Sequence, residues 1–203
     1  MYDFLIYDFD GTISDTYPVF TRALLELLSR LGKQTDYNTA YSQLKVSVGH
    51  ALKFYGLSDH EKEYHSIWKE MALAEQKAFP EAHEILRYAK SRGKKNYLYT
   101  HTGRIVYDLL CKMGISDCFD FILESTTYKF PRKPAPDALN FIIKTCGIDR
   151  SHALMIGDRD IDIEAARAAG IDGCLFDPDG YYLDCKAEHY IKSLLDLKAI
   201  IGE

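Results

Sequence analysis

The sequence lacks the cysteine and histidine patterns that mark zinc proteins and disulfide-rich secreted domains. It has no CxxC pair and no histidine cluster. Its five cysteines are scattered along 203 residues: Cys111, Cys118, Cys146, Cys174 and Cys185. An odd, unclustered set argues against a structural metal site or a disulfide framework. We therefore expect reduced thiols in a cytoplasmic protein.

The sequence also lacks the features that would indicate a membrane or a nucleic acid as partner. No apolar run approaches membrane-spanning length, and the N-terminus lacks the basic and apolar regions of a signal peptide. Lysine and arginine number 25 against 30 acidic residues, a formal charge of −5, which is not the basic balance of nucleic-acid-binding proteins. We expect neither a membrane nor a nucleic acid as partner. An anionic substrate would need a local positive charge or a metal ion.

Apolar residues make up 47% of the chain, enough for a substantial core, and from Pro80 onward they follow a regular alternation. A helical pattern, a glycine and a short apolar run recur four times. The runs read as strands over 96–100, 121–123, 153–156 and 174–176, and a similar run lies at 4–8. Such alternation predicts a parallel sheet with right-handed crossovers. The predicted fold class is α/β, a Rossmann-like sheet with helices on both faces.

Residues 15–79 interrupt this alternation with helical patterns alone. We predict a core domain formed by 1–14 and 80–203 and an inserted helical domain at 15–79. Within the insert, Ser58 and Glu61 have the spacing of a capping box at a helix start. The apolar stripes of these helices indicate a small bundle core.

Polar residues follow four of the predicted strands, where ligands bind in sheets of this kind. They are Asp8 and Asp10, Thr100, Lys133 in a loop beyond the third strand, and Asp158 with Asp162. Adjacent carboxylates repel unless a cation or proton lies between them, and hard oxygen ligands suit Mg²⁺. A hydroxyl and an ammonium beside that metal suit phosphoryl oxygens, and a carboxylate can act as the nucleophile.

Each of these residues also has a simpler structural reading. Aspartate and glycine are common in surface turns, Thr100 could cap a helix, and Lys133 could be a solvated loop residue. Asp162 could lie in the first turn of a helix, where negative charge is favourable. The four segments together, in order and each after a predicted strand, favour the functional reading.

With these segments in view, the chain resembles the haloacid dehalogenase-like superfamily. The run from Asp8 to Thr12 resembles its DxDGT motif, Thr100 its second motif and Lys133 its third. Gly157 through Asp162 resembles the GDxxxD form of its fourth motif. The inserted helices resemble the family's small α-helical cap, as in phosphoglycolate phosphatases and β-phosphoglucomutases.

The resemblance implies a role for each residue. Asp8 would be the nucleophile and Asp10 the general acid and base. Mg²⁺ would be bound by Asp8, by Asp158 and by the backbone carbonyl of Asp10. Phosphate would be held by Thr100, Lys133 and the backbone N–H of His101, while Asp162 would orient these groups or pair with Lys133. His101 departs from the small or amide residue expected there, so a role for its side chain is not implied.

The cap is expected to select the substrate, with Lys45, Ser47 and His50 as candidate contacts; a plain loop between two helices is the alternative. The predicted function is Mg²⁺-dependent hydrolysis of a small phosphomonoester through an aspartyl phosphate. A sugar-phosphate phosphomutase and a catalytically silent binding protein remain as alternatives. The partner would be a small phosphorylated metabolite, and the protein a monomer or homodimer.

Overall fold

A computed structural model describes residues 1–182 and 184–202. In these residues the chain forms one parallel sheet of six strands in the order β3-β2-β1-β4-β5-β6. The strands are β1 Phe4–Tyr7, β2 Lys95–Tyr99, β3 Phe121–Leu123, β4 Ala153–Gly157, β5 Asp172–Phe176 and β6 His189–Ile191. The α/β fold class and five of these strands confirm the predictions. The edge strand β6 was not predicted.

The chain divides into two compact units, Met1–Ser14 with Ala78–Glu203, and Asp15–Lys77. The helices of the second unit are α1 Tyr17–Arg30, α2 Tyr37–Val46, α3 Val48–Phe54 and α4 Glu61–Glu75. Helix α1 packs against both α2 and α4. The predicted boundary at 79/80 lies two residues from the observed one.

The predicted capping box at the start of α4 is wrong. Ser58 lies in a 3₁₀ turn, Ser58–His60, and α4 begins at Glu61 without a side-chain cap. Because Glu61 is already the first helical residue, it is not at the third helical position that a capping box requires.

The remaining helices belong to the α/β unit. They are α5 Ala82–Ser91, α6 Ile105–Lys112, α7 Asp137–Cys146, α8 Asp160–Ala168 and the short α9 Leu197–Ile201. Gly147 ends α7 in the left-handed region at φ 66°, a conformation that glycine adopts without steric cost. A 3₁₀ turn at Leu194–Asp196 leads directly into α9.

The central strand β1 is covered on both faces. Leu5, Ile6 and Tyr7 are fully buried, although successive side chains of a strand point to opposite faces. Ile6 lies in a core cluster with Leu139 and Ile142 of α7. Burial on both faces is what the continuous apolar run of β1 predicts for a parallel sheet.

The loop after β3 is long, and aromatic residues hold it against the sheet. Phe141 of α7 contacts Phe121, Tyr128 and Phe130, with ring centroids 6.4, 5.4 and 5.1 Å away. Tyr128 and Phe130 belong to this loop, which leads to Lys133. The aromatic cluster therefore anchors the segment that carries the predicted lysine.

We expect Phe141→Ala to destabilise the α/β unit by about 2–3 kcal/mol, because it removes the common partner of three aromatic rings. Urea unfolding measures this loss. The matched control Tyr107→Ala removes a 41% exposed aromatic residue and should cost under about 1 kcal/mol. Equal losses in the two variants would contradict an anchoring role for the cluster.

Candidate active site

Asp8 and Asp10 lie immediately beyond the C-terminal end of β1. The N–H of Asp8 continues the sheet by donating to the carbonyl of Ile156 at 2.8 Å. The chain then turns at Gly11, whose φ is 79°, and the N–H of Gly11 donates to the Ser14 carbonyl at 2.8 Å. The parallel register of β1 with β2 and β4 brings Asp8 beside the ends of both neighbours.

Lys133 reaches this sheet edge from the loop beyond β3. Its Nζ lies 2.7 Å from Asp8 Oδ1 and 2.7 Å from Asp162 Oδ1, and it donates to the Tyr99 carbonyl at 3.2 Å. Burial alone would lower the pKa of Lys133, but the charges of Asp162 and Asp8 outweigh burial and hold it above its ordinary value. Lys133 is therefore a buried ammonium ion bridging two carboxylates.

Asp158 completes an acidic cluster with Asp8 and Asp162. One carboxylate oxygen from each lies within 4.8 Å of the others, and all three residues are buried. A Cβ added at Gly157 would overlap the Asp162 side chain, so glycine at the end of β4 is what permits this close approach. The GDxxxD spacing thus places two acids of the fourth segment beside the acid of the first.

The cluster contains more acidic than basic groups. Three carboxyl groups face the Lys133 ammonium, and burial raises the pKa of Asp8 and that of Asp162, the latter to about 6, despite the opposing effect of Lys133. A divalent cation bound by carboxylate oxygens would offset this excess. The donor set fits Mg²⁺.

The short turn after β2 holds Thr100 and His101. Thr100 is buried, and its Oγ1 accepts the Thr102 N–H at 2.9 Å. His101 Nε2 accepts the backbone N–H of Lys133 at 3.1 Å, and its carbonyl accepts the Ser125 hydroxyl at 2.8 Å. The His101 side chain therefore has a structural contact that the sequence did not indicate.

Burial lowers the pKa of His101 to about 2, and the positive charges of Lys133, Arg132 and Arg159 act in the same direction. Its imidazole is therefore neutral at ordinary pH, which allows Nε2 to accept a hydrogen bond.

Thr102 contacts the site and was missed by the sequence reasoning. Its Oγ1 donates to Asp10 Oδ2 at 2.5 Å across a separation of 92 residues. The available signal was a second hydroxyl two positions after Thr100. Its direction depends on the turn beyond the strand, which the sequence pattern did not define.

The three cap candidates have contacts within the helical unit. Lys45 is buried, with Nζ 4.1 Å from the centre of the Tyr17 ring. Ser47 Oγ caps α3 by accepting the His50 N–H at 2.9 Å, and His50 Nε2 lies 2.9 Å from Gln43 Oε1. Ser47 thus has a structural task. The substrate contacts of Lys45, Ser47 and His50 stay predictions.

The parallel sheet thus carries a buried lysine and three carboxyl groups at the C-terminal edge of its strands. The family model for haloacid dehalogenase-like hydrolase matches residues 5–176, and the chain belongs to this family. The resemblance seen in the motifs is thereby confirmed.

The chain is also similar to individual proteins and solved structures. A phosphoglycolate phosphatase of Pseudomonas fluorescens is 29% identical over 181 residues, which cover 82% of this chain and 66% of that protein, just under two thirds. The crystal structure of a hydrolase from Streptococcus pneumoniae TIGR4 is 32% identical, with a TM-score of 0.66, covering 86% of this chain and 92% of that one. The haloacid dehalogenase-like protein SP0104 from Streptococcus pneumoniae is 19% identical, with a TM-score of 0.85 and 99% coverage of both chains. The last shares the fold.

Two further observations concern the helices and the cysteines. None of the helices in the described part of the chain is long and apolar enough to cross a bilayer. All five cysteines are free thiols.

We predict that His101→Gln loses its stability deficit as the pH falls. The pKa of His101 is about 2 in the folded state and about 6.5 in the unfolded state, so on acidification the unfolded state binds the proton first. The contribution of His101 to stability is therefore present above pH 6.5 and declines as the pH falls. Between pH 7 and pH 5, the wild-type advantage over His101→Gln should shrink by about 1–2 kcal/mol in urea unfolding. A difference that is constant with pH would show that the folded state does not exclude the His101 proton.

Proposed function

We propose that the chain is a Mg²⁺-dependent phosphatase that hydrolyses a small phosphomonoester through an aspartyl phosphate. The observation that carries the proposal is the Lys133 ammonium, 2.7 Å from both Asp8 and Asp162 in a buried cluster of acids. Membership of the hydrolase family and the phosphatase names of its relatives support it.

In the first step a carboxylate oxygen of Asp8 attacks phosphorus while the bond from phosphorus to the leaving oxygen breaks. Asp10 gives its proton to that leaving oxygen. In the second step water attacks the same phosphorus, the bond to Asp8 breaks, and Asp10 takes the proton of the water. The net reaction converts the ester and water into an alcohol and inorganic phosphate.

The other residues of the site would bind the phosphoryl group or the metal ion, or orient the residues that do. Lys133 and Thr100 would donate to phosphoryl oxygens, with the backbone N–H of His101, as negative charge shifts in the transition state. Asp162 holds the Lys133 ammonium by the ion pair at 2.7 Å. Bound through Asp8, Asp158 and the Asp10 carbonyl, Mg²⁺ would supply the positive charge that neutralises repulsion between nucleophile and phosphate.

The substrate class proposed is a small phosphorylated metabolite, selected by the helical unit. Lys45, Ser47 and His50 are the proposed contacts to its leaving group. The buried Lys45 offers a cation suited to a carboxylate, and phosphoglycolate is therefore the first compound to test.

A phosphate-release assay should detect Mg²⁺-dependent turnover of one or more of phosphoglycolate, a sugar phosphate, a nucleoside monophosphate and pyrophosphate. Asp8→Asn should lower kcat by at least about 10³-fold, because the amide oxygen is a poor nucleophile. The control Asp117→Asn changes a 71% exposed carboxylate of the same unit and should leave kcat unchanged.

Full Mg²⁺-dependent activity in Asp8→Asn would contradict the assignment of the nucleophile. Isomerised sugar phosphate without free phosphate would instead identify a phosphomutase. No turnover of any compound by the wild type would favour a silent binding protein.

Addition of millimolar Mg²⁺ should raise the Tm of the wild type by several degrees, because a ligand that binds only the folded state stabilises it by roughly 2–3 kcal/mol at a hundredfold excess over Kd. Asp158→Asn should lose most of this shift while its metal-free Tm stays near that of the wild type, since one buried negative charge is removed. Asp117→Asn should retain the shift. An unchanged Mg²⁺ response in Asp158→Asn would remove Asp158 from the ligand set.

A further inference from the structure

The hydrogen bond from Thr102 to Asp10 joins the turn after β2 to the turn after β1. Thr102 Oγ1 lies 2.5 Å from Asp10 Oδ2, the distance of a short, strong hydrogen bond between two oxygen atoms. Thr102 is only 8% exposed. A contact this short in a largely water-free position contributes more than an exposed one would.

The backbone around Thr102 is fixed from both sides. Its N–H donates to Thr100 Oγ1 at 2.9 Å, and its carbonyl accepts the Ser125 N–H at 3.4 Å. A Cβ added at Gly103 would overlap Thr126 Oγ1, so the turn also lies tightly against the loop after β3. The backbone that carries the Thr102 hydroxyl is therefore held by contacts with Thr100 and with the loop after β3.

Asp10, in contrast, lies in the turn beyond β1, and rotation about the terminal bond of an aspartate side chain is broad and weakly restricted. A hydrogen bond that holds one carboxylate oxygen also limits where the other can lie. Thr102 thus restrains the direction of the Asp10 carboxyl group relative to the neighbouring Asp8.

We propose that Thr102 is a positioning residue whose hydroxyl orients Asp10 for proton transfer to the leaving oxygen. The inference rests on the proposed phosphatase function, in which the proton of Asp10 passes to that oxygen as its bond to phosphorus breaks. Thr102 acts through Asp10 and touches neither the phosphoryl group nor the metal in this scheme.

A role in proton transfer depends on the leaving group, and a role in packing does not. An alcohol leaves poorly as an alkoxide and needs the proton, whereas p-nitrophenolate leaves without it. General acid catalysis contributes about 10²–10⁴-fold where it is needed, and a small misplacement of a catalytic group can cost about 10²-fold. Loss of the Thr102 hydroxyl should therefore affect an alkyl phosphate far more than an aryl phosphate.

The test compares kcat/KM for the best alkyl phosphomonoester of the panel with kcat/KM for p-nitrophenyl phosphate. Since kcat/KM reports the steps up to loss of the leaving group, later hydrolysis of the phosphoenzyme does not mask the comparison. Thr102→Val keeps the shape and removes the hydroxyl. We expect a loss of about 10–100-fold for the alkyl ester and less than about 3-fold for the aryl ester.

Thr102→Ser keeps the hydroxyl and should restore most of the alkyl-ester activity. Thr21→Val is the matched control, because Thr21 is a buried threonine of α1 whose hydroxyl donates to the Tyr17 carbonyl at 2.8 Å. It should change Tm without changing the ratio of the two kcat/KM values. Thr102→Ala gives the same comparison if valine does not pack.

Equal losses for both esters in Thr102→Val, or no recovery in Thr102→Ser, would overturn the proposal. Failure of the proposed function has a different signature, since the wild type would then release no phosphate from either ester or Asp8→Asn would remain active.

Discussion

The site depends on one buried cation held between two carboxylates. Lys133 Nζ lies 2.7 Å from an oxygen of Asp8 and 2.7 Å from an oxygen of Asp162. Removing Lys133 would leave two buried carboxylates without their cation, which costs far more than an ion pair contributes. The lysine, rather than any one acid, therefore makes the close approach of the carboxylates tolerable. Because its charge is smaller than theirs combined, the cluster still favours a further cation.

The sheet explains why residues so far apart in sequence meet there. With β1 at the centre and β2 and β4 on either side, all parallel, the residues that follow these strands share one edge. Lys133 arrives differently, through a long loop anchored by Phe141 and its aromatic neighbours. The partly buried rings of Tyr128 and Phe130 pack against the core and hold this loop to the sheet.

The sequence predicted what depends on periodicity and strand order. Apolar runs and their spacing predicted strands β1 to β5 and the helical insert. The geometry of parallel sheets predicted that Asp8, Lys133, Asp158 and Asp162 lie at one edge of the sheet. The sequence did not predict β6, His189–Ile191, because this segment begins with a histidine, lies between Glu188 and Lys192, and has no apolar run like that of β3. The start of α4 was also misplaced, because Ser58 and Glu61 had the spacing of a cap in a segment that forms a 3₁₀ turn first.

The contacts that the sequence could not supply are concentrated in the turn after β2. Three consecutive residues there connect different parts of the site: Thr100 closes the turn itself, His101 accepts the Lys133 N–H, and Thr102 donates to Asp10. Side chains beyond a strand lose its alternation, so their directions are set by the turn and by partners distant in sequence. Side chains of this one turn contact both the segment that carries Lys133 and the proposed acid and base Asp10, so the turn links the positions of the two. A family motif names only the first of these residues, while the geometry of the site depends on all three.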